Sequence, residues 1–216
     1  MDYIIRLAGS LLPGVKYTLG LFLITAVCSL PLGFALTFLR RSRFAVFRGI
    51  SWFYTWLLRG TPLLLQLFFL YYGLPAIPVI GTYLTMDRFT ASCVGFVLNY
   101  AAYFCEIFRG GLLSIDRGQA EAAWVLGLSP AKTQMKIILP QMLRVTLPAV
   151  SNECITLVKD TALVTAVGVT EILFFAKAAV NRDVNATAYA VAALFYLLMN
   201  TLLTKLFARL EKKVGY

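Results

Sequence analysis

The chain reads as an all-α, polytopic membrane protein of about five transmembrane helices. Three observations support this: an apolar composition, apolar stretches of spanning length, and charge gathered between those stretches. Of 216 residues, 60% are hydrophobic and 14% charged. Soluble domains run to about half apolar and a quarter charged. A helical span needs about 20 mostly apolar residues. Five segments approach that length: residues 15–39, 50–74, 89–108, 145–169 and 186–207. All of residues 1–216 are expected to form a single transmembrane domain.

Each boundary has a local cause. The first segment ends at Arg40, Arg41 and Arg43, with Arg48 close behind. The second gives way to Pro75, Pro78 and Gly81, a loop that closes at Asp87 and Arg88. The third runs into a mixed-charge segment, 109–144. The fourth is interrupted by Lys159 and Asp160 and followed by a half-polar stretch, 170–185, expected to lie outside. The fifth ends in a tail with Lys205, Arg209, Lys212 and Lys213. Lys and Arg favour the cytoplasmic side. The 40–48 loop, the 109–144 segment and the tail are therefore expected inside, and the N-terminus outside. Five spans require the same parity. The opening MDYIIRLAGS lacks the pattern of a cleavable signal peptide, so the first span is expected in the mature protein.

Composition also excludes functions. The net charge of +10 sits between apolar spans, as topology signals do, and does not call for nucleic acid. The chain has no His, which removes His-based catalysis and most zinc sites. Cys28, Cys93, Cys105 and Cys154 lie in apolar stretches and read as packing residues, with neither disulfide nor metal role. No G-x-x-x-x-G-K-[ST] phosphate loop occurs, so ATP binding is not expected of this chain. No enzymatic activity is expected either.

The segment 116–140 reads DRGQAEAAWVLGLSPAKTQMKIILP. Gln119 to Leu126 are good helix formers and Gly127 breaks the run. Ser129 can cap a second helix with Pro130 in its first turn. That helix is expected over 131–139, ending before Pro140. Charges and an open turn keep such a knob out of the bilayer core. Glu121, Ala122 and Ala123, followed by Gly127, Ile137, Leu139 and Pro140, resemble the EAA loop of permease subunits of ATP-binding-cassette importers. In that family the loop is a coupling helix that inserts into the ATPase subunit. The resemblance marks Glu121, Ala122, Ala123, Gly127 and Pro140 as ATPase-coupling residues.

A second resemblance narrows the branch. Arg59-Gly60-Thr61-Pro62-Leu63-Leu64 with Gln66, then Glu106-Ile107-Phe108-Arg109-Gly110-Gly111, Ser114-Ile115, Asn152-Glu153 and Lys159-Asp160-Thr161-Ala162-Leu163 look like polar amino-acid permeases of the His/Glu/Gln/Arg/opine family. The likeness covers roughly half the chain. Cys105, where Ala is common, and Ala162, where Ser is common, depart from the pattern by small-for-small changes. The family implies a type I importer fold and a homodimer or a heterodimer with a paralogous permease. It also implies two ATPase subunits, which hold the ATP and Mg, an extracytoplasmic solute-binding protein and the inner membrane.

Intramembrane ionisable groups tend to face a cavity or a partner. Asn99, Tyr103 and Glu106 share one helical face by spacing. Asn152, Glu153, Thr156, Lys159 and Asp160 form a similar polar set in the fourth span. An amino acid needs an acceptor for its ammonium and a donor for its carboxylate. Glu153, Asp160 and Glu106 can accept, and Lys159 or backbone amides can donate. Asn99, Tyr103, Glu106, Asn152, Glu153, Lys159 and Asp160 are therefore the candidate substrate residues. Against this stand plain structural roles, such as Glu106 pairing with Arg109. Arg59 is read as snorkelling to the headgroups. Gln66 suits a pocket or a helix–helix hydrogen bond equally. Two other functions fit the same features: a secondary transporter driven by an ion gradient, and a membrane scaffold that recruits a cytoplasmic enzyme.

Overall fold

The computed structural model describes residues 2–214; Met1, Gly215 and Tyr216, within the expected 1–216 domain, lie outside the described residues. The described residues are helices joined by short connections. These are α1 (Asp2–Arg40), α2 (Ala45–Gly60), α3 (Leu63–Phe68), α4 (Arg88–Ser114), α5 (Gly118–Val125), α6 (Pro130–Thr133), α7 (Leu139–Asp160), α8 (Ile172–Asp183) and α9 (Thr187–Val214). Three of them, α1, α4 and α9, are long and apolar enough to cross a membrane alone. Two bent pairs raise the number of spans to as many as five: α2 with 63–76, bent by 104°, and 130–167 with α8, bent by 55°.

Helix α4 is the centre of the molecule. Its buried Phe96, Tyr100, Phe104 and Phe108 form a ladder that α1 and α7 cover. Aromatic side chains bury large apolar areas, and here they exclude both lipid and water from the middle of the bundle. Asp87 starts the helix, its side chain accepting from the backbone amides of Phe89 (3.0 Å) and Thr90 (3.1 Å). Hydrogen bonding from Thr90 holds the Asp87 carboxyl below the usual carboxylate range. By contrast α9 presents Leu194, Leu197, Leu198, Leu202 and Leu206 outward, an apolar face suited to lipid.

Four expectations from the sequence need correction. The first helix begins at Asp2, well before residue 15, because Leu7 and Leu11 are buried against Ile172, Ala176 and Ala192. The 170–185 stretch is helix α8, with Ile172, Ala176 and Ala179 packed inward. Its polar residues, Lys177, Asn181, Arg182 and Asp183, lie from the middle to the C-terminal end of a mainly apolar helix. The second span is not straight: Pro62 lacks an amide hydrogen and the chain turns at Thr61 and Pro62. Finally, the helix after Ser129 does not stop before Pro140. It passes through a π-helical turn, Gln134–Ile138, directly into α7. The Leu139 amide reaches back to the Gln134 carbonyl, so the ladder is already widened where the proline ring must fit.

A bend anchored between two carboxylates and a knob

The 104° bend would leave the last carbonyls of α2 without partners. Side chains take their place. Leu58 O accepts from the Gln66 carboxamide (2.9 Å) and from Asn99 Nδ2 (3.0 Å). Leu57 O accepts from the Thr61 hydroxyl (2.9 Å), which also accepts from Gln66 Nε2 (2.8 Å). Asn99 Nδ2 donates a second time, to Gln66 Oε1 (3.0 Å). The Arg-Gly-Thr-Pro-Leu-Leu-Leu-Gln run thus carries its own fastening. Asn99, 4% exposed, fixes it to α4. Gln66 makes the hydrogen bonds between elements and also lines an adjoining apolar pocket, so both roles its sequence position allowed are present.

Behind the bend is a cavity of about 480 Å³. Arg59, Gly60, Thr61 and Pro62 line one side, Asn99, Tyr100 and Tyr103 of α4 the second, and Glu153, Thr156 and Asp160 of α7 the third. Asp160 accepts a 2.7 Å hydrogen bond from the Tyr100 hydroxyl. Arg59 lies over the Tyr103 ring, 5.3 Å from its centroid. The cavity therefore offers one guanidinium, two carboxylates, two phenol rings and an amide. Such a set can hold an ammonium and a carboxylate at once.

Four of the seven candidates, Asn99, Tyr103, Glu153 and Asp160, meet in this cavity. Asn152 and Lys159 are exposed on another face of α7. Glu106 stands one turn below Tyr103 and outside the cavity, where it pairs with Arg109 (2.6 Å) and has Arg40 and Arg59 at 4.0 Å each. The spacing could not separate these, because a helical stripe that curls around the axis meets two different neighbours. Arg59, expected from the sequence to reach the headgroups, also lines this cavity and lies over the Tyr103 ring, and the bend that brings it there was not legible from hydropathy.

At the other end of α4 and α7 stands the knob. Ala123 is buried, while Trp124, Val125 and Leu126 are 77–79% exposed. Gly127, at φ 73°, ends α5 in a left-handed turn. Leu128 N donates to Ala123 O (3.0 Å) and Gly127 N to Trp124 O (2.9 Å), the paired closure of a Schellman motif. Ser129 Oγ then accepts from Lys132 N (3.4 Å) and starts α6. Glu121 and Ala122 are exposed beside the apolar trio, and Pro140 is exposed on the helix above. Helices α4 and α7 meet closely just beyond the knob. A Cβ on Gly111 would lie 2.1 Å from Thr146 Cγ2.

Comparison with known proteins agrees with this architecture. Residues 14–216 match the family model of binding-protein-dependent transport system inner membrane components. The chain is 38% identical over 205 residues to the arginine transport system permease protein ArtQ of Bacillus subtilis (strain 168), covering 94% of this chain and 92% of that protein. It is 35% identical over 211 residues to the histidine/lysine/arginine/ornithine transport system permease protein HisM of Escherichia coli (strain K12), covering 93% and 87%. Among solved structures, an amino acid ABC transporter crystallised with histidines superposes with a TM-score of 0.89 at 27% identity, covering 98% of this chain and 97% of that one. An inward-facing MetNI methionine transporter shares the fold, with a TM-score of 0.76 at 23% identity. On this match, and on a helical bundle with the fold of type I importer transmembrane domains, the chain belongs to the family of inner-membrane components of binding-protein-dependent transport systems.

Proposed function

We propose that the chain is the permease subunit of an ATP-driven importer of polar amino acids, and that the cavity behind the α2–α3 bend is its substrate site. One observation carries the reading: Arg59 faces Glu153 and Asp160 across a single cavity of about 480 Å³. Arg59 suits the substrate carboxylate, because a guanidinium offers a planar fork of donors. Glu153 and Asp160 suit the ammonium or a cationic side chain. Two acids against one base favour a cationic or zwitterionic substrate over an acidic one. The names of ArtQ and HisM point the same way. Tyr100 orients Asp160, and Asn99 holds the bend in place.

The remaining parts follow from the family. Two such chains, identical or paralogous, enclose the pathway. A solute-binding protein delivers substrate from outside. Two ATPase subunits, which bind the ATP and Mg, seat the knob formed by Glu121, Ala122, Ala123 and Gly127. Their closure and reopening alternate access to the cavity. With Lys and Arg gathered on the knob side, the N-terminus lies outside and the C-terminus in the cytoplasm.

Reconstitution of the chain with its ATPase and binding protein tests the reading. ATP-dependent uptake is expected, and Glu153→Gln should raise the substrate concentration needed for half-maximal uptake. Uptake that runs on an ion gradient without ATP would overturn the importer assignment. An unchanged concentration dependence in Glu153→Gln would remove that residue from the site.

A further inference from the structure

Glu106 is surrounded by more positive charge than it can balance. Arg109 takes its Oε2 through Nε (2.7 Å) and Nη2 (2.6 Å). Arg40 and Arg59 are each held at 4.0 Å, beyond hydrogen-bond reach. Three guanidiniums against one carboxylate leave two positive charges uncompensated. Glu106 is partly buried, its side chain 14% exposed, as is that of Arg40 at 21%. Arg40 donates to Thr55 Oγ1, a long contact of 3.5 Å. Most donors of the Arg40 and Arg59 forks are left unused.

Those donors open on a second cavity of about 400 Å³ that adjoins the candidate substrate site and shares Arg59 and Gly60 with it. Arg40, Trp52, Thr55, Trp56 and Glu106 line this cavity and not the other. Trp52 and Trp56 stack with ring centroids 6.0 Å apart and are more than half exposed. Tryptophan favours the level of the lipid headgroups. The end of α1 marks the same level, since Arg41 lines a cleft with Asp116 and Trp124 of the knob region. A pair of guanidiniums that line one cavity is suited to a tetrahedral oxyanion, because each fork can donate two parallel hydrogen bonds. The buried Thr55 hydroxyl, which donates to the Ser51 and Trp52 carbonyls, positions Arg40 by accepting from it. Charge compensation at a partly desolvated site favours that anion further.

We propose that this cavity binds a phosphate oxyanion at the knob-side membrane boundary, between Arg40 and Arg59, with Thr55 positioning Arg40. Its sources are the headgroup of an anionic phospholipid and free phosphate. The site shares Arg59 with the proposed substrate site, and the test is kept separate by varying Arg40 and Thr55, which line only the second cavity, and by reading retained ligand and not uptake.

The test uses the full chain, purified with its ATPase partner, delipidated, and offered phosphatidylglycerol or phosphatidylcholine. Native mass spectrometry counts lipids retained per permease chain. The wild type should retain phosphatidylglycerol about tenfold better than phosphatidylcholine, and Arg40→Gln should lose about that factor. Thr55→Ala should weaken retention by less. Arg43→Gln removes an equal charge from the adjoining loop and should leave retention unchanged. Displacement by millimolar inorganic phosphate would assign the site to free phosphate; resistance to it would assign the site to the lipid. Equal retention of the two lipids with no inorganic phosphate bound overturns the proposal. So does an equal loss in Arg43→Gln and Arg40→Gln, which would mean diffuse attraction to a basic surface. If Arg40→Gln does not assemble, unchanged retention in both Thr55→Ala and Trp56→Ala overturns it as well.

Discussion

The cavity and the knob sit at two points on the same pair of helices, and they break the usual rule of burial in opposite directions. In the cavity, Glu153 and Asp160 lie within an apolar bundle. At the knob, Trp124, Val125 and Leu126 stand almost fully in the open. An isolated chain gains nothing from either arrangement. Ionised groups away from water cost several kcal/mol, and an exposed apolar trio forgoes the stabilisation of burial, about 25 cal/mol per Å². Under the function proposed above, each region is completed by something else in contact: the cavity by a charged small molecule, and the knob by an apolar cleft.

The two regions should therefore respond to different mutations. The largest effect is expected where they are joined. Gly111→Val would force a side chain into Thr146 and part α4 from α7, which should abolish assembly; a normal yield of monodisperse protein would refute the close contact. Next comes the knob. Trp124→Ala should weaken association with the ATPase by about 30-fold, the size of a hot-spot loss of about 2 kcal/mol. Substrate binding should be unaffected, and isothermal titration with both partners checks the separation. Glu153→Gln should do the reverse, weakening substrate by about tenfold with ATPase association intact. A mutation that moves both readouts equally would erase the distinction drawn here.

Smaller effects sharpen the picture. Gln66→Leu leaves Leu58 O with Asn99 alone and should cost about 1–2 kcal/mol of stability, read as a lower Tm. Asp87→Asn should give a slight fall in Tm that depends on pH. The lowered folded pKa of Asp87 means that its contribution is present above the ordinary carboxylate range. It is lost as pH falls through the folded value. The difference between Asp87→Asn and wild type should therefore vanish in acid; a constant difference would show that the cap acts without charge.

Much of this was legible in the residues. Apolar runs disclosed the spans, Gly127 and Ser129 the knob, and the helical spacing of Asn99 with Tyr103 one wall of the cavity. The rest depended on long-range packing. Helix α8 is hard to read because its polar residues, Lys177 and Asn181 to Asp183, gather toward its C-terminal end and its buried stripe is largely alanine, which Leu7 and Leu11 cover. Pro140 reads as a stop only while its neighbours are taken to be ideally α-helical. The depth of Arg59 along the chain is compatible with the headgroups but does not report that it also lines the cavity behind the turn at Thr61 and Pro62. Asn152 and Lys159 share a segment with Glu153 and Asp160 but face elsewhere, which one set of spacings does not resolve.

The unbroken run through Pro140 has a mechanical consequence. From Thr133 beside the knob to Glu153 in the cavity is 20 residues of helix, about 30 Å at 1.5 Å per residue. It is continuous through the π-helical turn at Gln134–Ile138 and through Pro148, which removes one rung of its hydrogen-bond ladder. A rod of that length works as a lever. A tilt of about 5° about its lower end would carry the Glu153 carboxylate by about 2–3 Å, enough to bring it into or out of reach of a bound ligand. Had the helix ended at the proline, a flexible joint would have absorbed the same tilt.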